Sequence, residues 1–319
     1  MKGLTGFLQT SFKGQDFSKI LSGITYPCWM PFYHGVCDKP LAHIKHLYPV
    51  KSVALFQKEL DFYLEHFNIV SLSEIRNKPS DKPNLFLSFD DGLVEFNDVI
   101  APILQKKGIP ATVFLNSDFV DNKNLFFRYK ASILATELES RSRSTNLDKS
   151  IKELLNISYH NSKQLDDLAR DMSIDFEDYT QHNPIYLSTE QIKHWKTEGF
   201  DFGAHSKDHP LFEKLSLEEQ LTQTTQCITE LESMLGFTIE SFSFPFTDYG
   251  VVPAFFEALK KAHPNLITFG TAGLKLDPIN DHFQRLPMDN STGDVKQYFT
   301  KQIQRYHLKK LAGKHIYKR

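Results

Sequence analysis

Two stretches of this 319-residue chain carry side chains that could do chemistry together. Asp90-Asp91-Gly92 sets two carboxylates side by side, directly after the apolar run Leu85-Phe86-Leu87-Ser88-Phe89. Carboxylates at the end of a buried strand are costly to desolvate unless something uses them. Further along, His205-Ser206-Lys207-Asp208-His209-Pro210 follows a second short strand pattern, Phe200 to Ala204. Histidines four apart fall on one side of a helical turn, close enough to share a metal. Each motif alone has an ordinary reading: Asp-Asp-Gly suits a solvated turn or a helix cap, and two histidines suit a polar surface. Together they offer one carboxylate and two imidazoles as ligands, with a second carboxylate left over. Two histidines and one carboxylate, with positions open for water, are the ligand set of a catalytic metal site rather than a closed structural one.

The elements that must position these residues read as strand, helix, strand. A helical pattern (Val99, Ile100, Ile103, Leu104) follows Asp91 and ends at Gly108 as its C-cap, before a second buried strand, Ala111 to Leu115. Open α/β folds and barrels place their chemistry at such strand ends. Upstream, Ser52 can cap a helix over residues 52–67, and Ile69 to Leu72 is a short strand. Downstream, Ser188 or Thr189 opens a helix through Trp195. Leu217 to Leu235 is a long amphipathic helix closed by Gly236, and Phe242 to Phe244 is a strand. Val252 to Ala262 is helical, Leu266 to Gly270 and Phe283 to Met288 are strands, and Val295 to Leu311 is a basic helix. Strand–helix alternation of this kind predicts a parallel sheet closed into a (β/α) barrel. Residues 125–180, with a charged, Ser-rich patch from Glu137 to Lys149, read as helices inserted between barrel strands.

The motifs resemble those of the polysaccharide deacetylases, the NodB-homology group of carbohydrate esterase family 4. Ser88-Phe89-Asp90-Asp91-Gly92 is similar to that family's (T/S)FDDG motif, and His205 to Pro210 to its H(S/T)xxHP motif. Ser243-Phe244-Pro245-Phe246-Thr247-Asp248-Tyr249-Gly250 is similar to its third motif, a loop lining the substrate groove. Tyr33-His34, in Met30 to Val36, resembles the first strand of the family's "YH" branch. The resemblance implies a distorted, TIM-like (β/α) barrel of parallel strands with fewer than eight units. It covers about residues 24–290. An N-terminal arm (1–23) would precede the barrel domain (24–294), and a C-terminal helix (295–319) would follow it.

The resemblance further implies hydrolysis of the N-acetyl amide of an N-acetylated sugar or glycan. Asp91, His205 and His209 would hold one divalent metal, zinc suiting the ligand set best and other first-row metals being possible. A metal-bound water would be the nucleophile and Asp90 the general base. Pro245, Phe246 and Thr247 would line the substrate groove, with a backbone N–H there supporting an oxyanion. In two places the chain departs from the family pattern. Most members carry a base-orienting arginine just ahead of the third-motif proline; here Ser243 stands there. Arg285, in Gln284-Arg285-Leu286-Pro287, resembles an arginine of the "YH" branch that can do this job; a structural or surface arginine is the other reading. The family's late Leu-His pair, whose histidine is the general acid, has no match, since His307 and His315 lie in polar, basic surroundings. His34 is the candidate substitute; a hydrogen-bonded core histidine is its other reading. A catalytically weak or inactive carbohydrate-binding protein on the same scaffold is thus the alternative function.

Composition narrows the classes. A formal net charge of -2 leaves no basic excess to neutralise phosphates, which argues against nucleic acid as a partner. No apolar stretch reaches membrane-span length. The N-terminus has no continuous apolar core of the signal-peptide kind, so a cytoplasmic protein acting on a glycan precursor is expected. Three cysteines (Cys28, Cys37, Cys227) are too few for a disulfide framework.

Overall fold

A computed structural model describes residues 16–141, 146–289, 291 and 293–319. Residues 1–15 of the expected arm and 142–145 of the Ser-rich patch lie outside the described residues. Short apolar runs bounded by Pro, Gly and Asn form the strands β1 (Pro31–Tyr33), β2 (Asn68–Val70), β3 (Asn84–Phe86), β4 (Ser88–Phe89) and β5 (Thr112–Leu115). They are followed by β6 (Asp201–Ala204), β7 (Ser241–Ser243), β8 (Ile267–Gly270), β9 (His282–Gln284) and β10 (Leu286–Pro287). β2 and β3 pair as a small parallel side sheet. The other eight segments run parallel in the order β10-β1-β4-β5-β6-β7-β8-β9.

β9 and β10 stand at opposite ends of that order yet are separated in the chain by Arg285 alone. They are one stretch. Its first half pairs with β8 (Thr268 opposite His282), and its second half with β1 (Pro31 opposite Leu286). This stretch closes the sheet into a barrel with fewer than eight units. Where the pairing changes over, the Arg285 side chain turns inward and is fully buried.

Side chains alternate across the barrel wall. Val113 and Leu115 of β5 join the core beneath the outer helices, whereas Phe114 joins an inner cluster with Met30, Phe86, Ile267 and Phe269. The Phe86 and Phe269 rings stack at 5.1 Å. This aromatic floor needs Gly203 opposite it, since a Cβ there would meet the Phe114 ring at 2.7 Å.

The helices follow local signals. Ser52 caps Val53–His66 by accepting from the Leu55 N–H. Ser216 and Glu219 form a capping box on Leu217–Leu235, and Gly236 ends it in the left-handed conformation, as Gly108 ends Ala101–Lys107. Between β5 and β6 the chain builds the helices Phe127–Arg141, Leu147–Leu155, Lys163–Asp171, Phe176–His182 and Thr189–Thr197. Residues 17–22, within the expected N-terminal arm, form a helix docked on the barrel. Phe17 is fully buried against Phe62 and against Phe299 of the helix Val295–Leu311.

Candidate active site

At the C-terminal ends of β1, β4 and β6 and at the junction of β9 and β10, the structure gathers Asp90, Asp91, His205, His209, His34 and Arg285. The chain leaves β4 extended through Asp90, whose N–H donates to the Tyr33 carbonyl (2.9 Å). It then turns through two left-handed residues, Asp91 (φ 69°) and Gly92 (φ 63°). A side chain on Gly92 would be strained and would meet Leu115. The turn aims both carboxylates into the same buried space instead of to opposite sides.

His205 and His209 converge without the expected helical turn. Residues 205–210 form a loop in which Ser206 (φ 67°) and His209 (φ 62°) are left-handed. The Ser206 hydroxyl accepts from the His209 N–H (3.1 Å) and holds the loop in shape. The His205 Nδ1–H donates to the Ser243 carbonyl (2.8 Å), so Nε2 presents its lone pair. Burial pushes the His205 ring down to about 4, which keeps it neutral. The Asp91 Oδ1 lies 3.2 Å from His209 Nε2 and 3.5 Å from His205 Nε2. These three ligand atoms are buried and mutually close, and neither Asp91 Oδ1 nor His209 Nε2 has a hydrogen-bond partner. Buried polar atoms left unpaired around a common point fit a metal ion, which would repay their desolvation.

Arg285 is fully buried and grips Asp90 with both arms, Nη1 to Oδ1 and Nη2 to Oδ2, each at 2.7 Å. It also donates to Ser243 Oγ (2.5 Å) and Ser88 Oγ (3.1 Å), and its guanidinium lies over the Phe32 and Phe114 rings. The small Ser243 side chain thus leaves room for, and bonds to, a guanidinium supplied from another strand. Burial alone would raise the Asp90 carboxyl, but Arg285 outweighs it and holds the group below the usual carboxylate range.

His34 follows β1 and is half-buried. Its Nδ1 and backbone N–H both bond Asp289, at 2.7 and 3.2 Å. Burial opposes a charged ring, yet the Asp289 carboxylate, helped by Asp91 and Asp90, lifts His34 to about 9. His34, Asp90, Asp91, His209 and Asp289 line one cavity of about 330 Å³, at the small end of ligand pockets. A larger cavity of about 1010 Å³ among the helices of residues 121–184 contains none of these groups.

The third-motif loop differs from expectation. Phe246, left-handed at φ 56°, swings its ring outward over His209 (4.6 Å) and lines the cavity. Pro245 is buried and Thr247 half-buried, and neither lines it. The Thr247 N–H is already spent on the Pro245 carbonyl (2.6 Å), and proline has no N–H, so only the Phe246 amide remains as a donor from this stretch. His307 and His315 also lie away from the cavity.

Several contributors had no legible signal. Tyr129, in the helix Phe127–Arg141, donates its hydroxyl to Asp91 Oδ2 (2.8 Å) and meets the Tyr48 hydroxyl (2.8 Å). Burial, with Asp91 close by, pushes the Tyr129 phenol far above its ordinary value, so it stays a donor. The Phe126 ring packs on His209 at 4.4 Å. Asp289 was detectable only as an acidic residue closely following the last strand.

Asp248, Asp277 and His282 form a second cluster of potential ligands. A cation already occupies it: Arg319 Nη2 bridges Asp248 (2.6 Å) and Asp277 (2.8 Å). These residues buttress the third-motif loop. The three cysteines are free, Cys28 and Cys227 being buried. Among the described residues no helix is long and apolar enough to cross a membrane.

No curated protein sequence matches the chain. Solved structures do, at low identity. The Streptococcus pyogenes deacetylase PplD, in complex with acetate, is similar with a TM-score of 0.57 at 14% identity, over 86% of this chain and 97% of that one. IcaB from Ammonifex degensii is similar at 0.55 and 14%, over 87% and 97%. A de-N-acetylase from Aggregatibacter actinomycetemcomitans is similar at 0.55 and 16%, over 86% and 99%. These likenesses establish the barrel fold. The sequence profile described as polysaccharide deacetylase matches residues 77–262, which hold both aspartates, both histidines and the third-motif loop. The chain belongs to the polysaccharide deacetylase family.

Proposed function

We propose that this protein hydrolyses the N-acetyl amide of an N-acetylated sugar or glycan, and that it does so with one divalent metal, zinc foremost, held by Asp91, His205 and His209. The observation that carries this reading is the convergence of three buried ligand atoms, two of them unpartnered, beside a carboxylate in a bidentate arginine grip. A divalent ion held by these residues would supply Lewis acidity there, lowering the pKa of a water and polarising the acyl carbonyl. Tyr129 and the Ser243 carbonyl orient two of the ligands, as outer partners do in catalytic metal sites.

Asp90 is the general base and takes the proton lost by the attacking water. Arg285 fixes both Asp90 oxygens, so the lone pair that accepts the proton points one way. Breaking the C–N bond leaves an amine that needs a proton. His34 supplies it: Asp289 holds Nδ1, which turns Nε2 toward the cavity. The products are acetate and the free amino sugar.

Two outcomes test this. Purified protein should carry close to one divalent ion per chain, and the His205→Ala/His209→Ala double variant should carry none. Equal metal content in the two would overturn the ligand assignment. Bound metal without acetate release from any N-acetyl sugar would leave a carbohydrate-binding scaffold instead.

The His34–Asp289 pair predicts a pH profile. A folded-state value raised from 6.5 to about 9 means that the charged pair stabilises the fold fully below 6.5 and stops doing so as pH rises through about 9. The proton that His34 donates disappears over the same rise. Turnover should therefore fall above about pH 9, and in Asp289→Asn, where burial is unopposed by that carboxylate, the falling limb should move to lower pH. An unmoved limb would remove His34 as the acid.

A further inference from the structure

Arg128 lines the same cavity as Asp90 and Asp91, and among the described residues it has no carboxylate partner. The other charged side chains facing that space already have roles: Arg285 holds Asp90, His34 pairs with Asp289, and Asp91 sits with the two histidines as a potential metal ligand. Elsewhere among the described residues, arginines 76, 141, 170, 285 and 319 each pair with a carboxylate, and Arg305 is exposed. Arg128 is half-buried, and its guanidinium lies 5.8 Å from the Phe246 ring. A cation taken partly out of water without a counter-charge is costly, and burial lowers its pKa accordingly.

Its position is well defined. On one side Phe126 packs on His209, and on the other Tyr129 bonds Asp91. The Arg128 backbone is thus fixed between two contacts to the metal-ligand cluster, its side chain lines the cavity near Phe246, and among the described residues its N–H donors have no partner. Neutral sugar hydroxyls could accept from those donors but would leave the charge uncompensated. A carboxylate or phosphate meets both needs, since its oxygens match the guanidinium fork.

We propose that Arg128 makes the site selective for N-acetylated sugars carrying an anionic group, carboxylate or phosphate. This rests on the deacetylase reading of the same cavity. Calorimetric titration of the full, zinc-supplemented chain with N-acetylglucosamine, N-acetylglucosamine 6-phosphate and N-acetylmuramic acid tests it. At least one anionic sugar should bind about 10- to 100-fold tighter than the neutral one, as expected for a hydrogen bond to a charged group. Arg128→Gln should erase most of that preference while costing the neutral sugar far less, and Arg128→Lys should keep part of it. Which anionic sugar is preferred distinguishes a carboxylate on C3 from a phosphate on C6. Equal binding of all three by the wild type, binding of none, a parallel loss of all three in Arg128→Gln, or a preference that survives Arg128→Gln would each overturn the proposal. Acetate release measured on the same samples separates the two claims. Charge-selective binding that depends on Arg128, with no acetate from any sugar, removes the deacetylase reading alone. Acetate release without charge selectivity removes the role of Arg128 alone.

Discussion

Replacing Arg285 with methionine is expected to cost about 3–5 kcal/mol of folding stability, because it strands the Asp90 carboxylate in the barrel interior. Asp90 and Arg285 are 2% and 0% exposed. The arginine makes two bonds to that carboxylate and one each to Ser88 and Ser243. Among the described residues no other positive side chain reaches the Asp90 oxygens; the His205 ring, 3.9 Å away, is held neutral by burial. Turnover should fall with stability, yet the two effects separate in a double variant. Arg285→Met/Asp90→Asn replaces the ion pair with neutral groups, and such replacements of buried pairs are often close to neutral. Urea unfolding should therefore show the double variant recovering much of the stability that the single variant loses, while activity stays absent. A single variant as stable as the wild type would mean that Asp90 does not depend on Arg285. Arg285→Lys should rescue poorly, because an ammonium cannot hold two carboxylate oxygens and two serine hydroxyls in one plane.

Asp90→Asn is expected to lower turnover by at least about 100-fold, the usual contribution of a positioned general base. The amide has nearly the carboxylate's shape and fills the same space, but it cannot accept the proton. Metal content should be retained, since the proposed ligands are Asp91, His205 and His209 and the Asp91 Oδ1 geometry does not involve Asp90. The substitution leaves the Arg285 guanidinium without its anion, so activity must be compared well below the variant's melting temperature. Unchanged turnover on an identified N-acetyl substrate would remove Asp90 from the mechanism. Loss of metal together with turnover would move Asp90 from the base role to the ligand set.

Local features of this protein were determined by the sequence itself. Ser52, Ser188, Gly108 and Gly236 mark helix ends where the structure has them, because a cap satisfies backbone groups within a few residues. The strand patterns ending at Phe89 and Ala204 are legible for a similar reason: continuous burial leaves a continuous apolar run. Their acidic and histidine-bearing ends could be paired because parallel barrel strands all finish on one face.

Tertiary packing alone decided the rest. A stretch read as one strand from Phe283 to Met288 splits at Arg285, pairing with β8 before the split and with β1 after it. The histidine pair meets through left-handed residues rather than a helical turn, since the carbonyl of Ser243 and the hydroxyl of Ser206 hold it. Tyr129 and Arg128 enter the site from helices that the sequence marks only as an insertion. Helical periodicity states which face of a segment leaves water, but not what that face meets. The meeting of Tyr129 with Asp91, or of Arg285 with Asp90, depends on how the whole barrel closes, and that closure is set by packing summed over many residues.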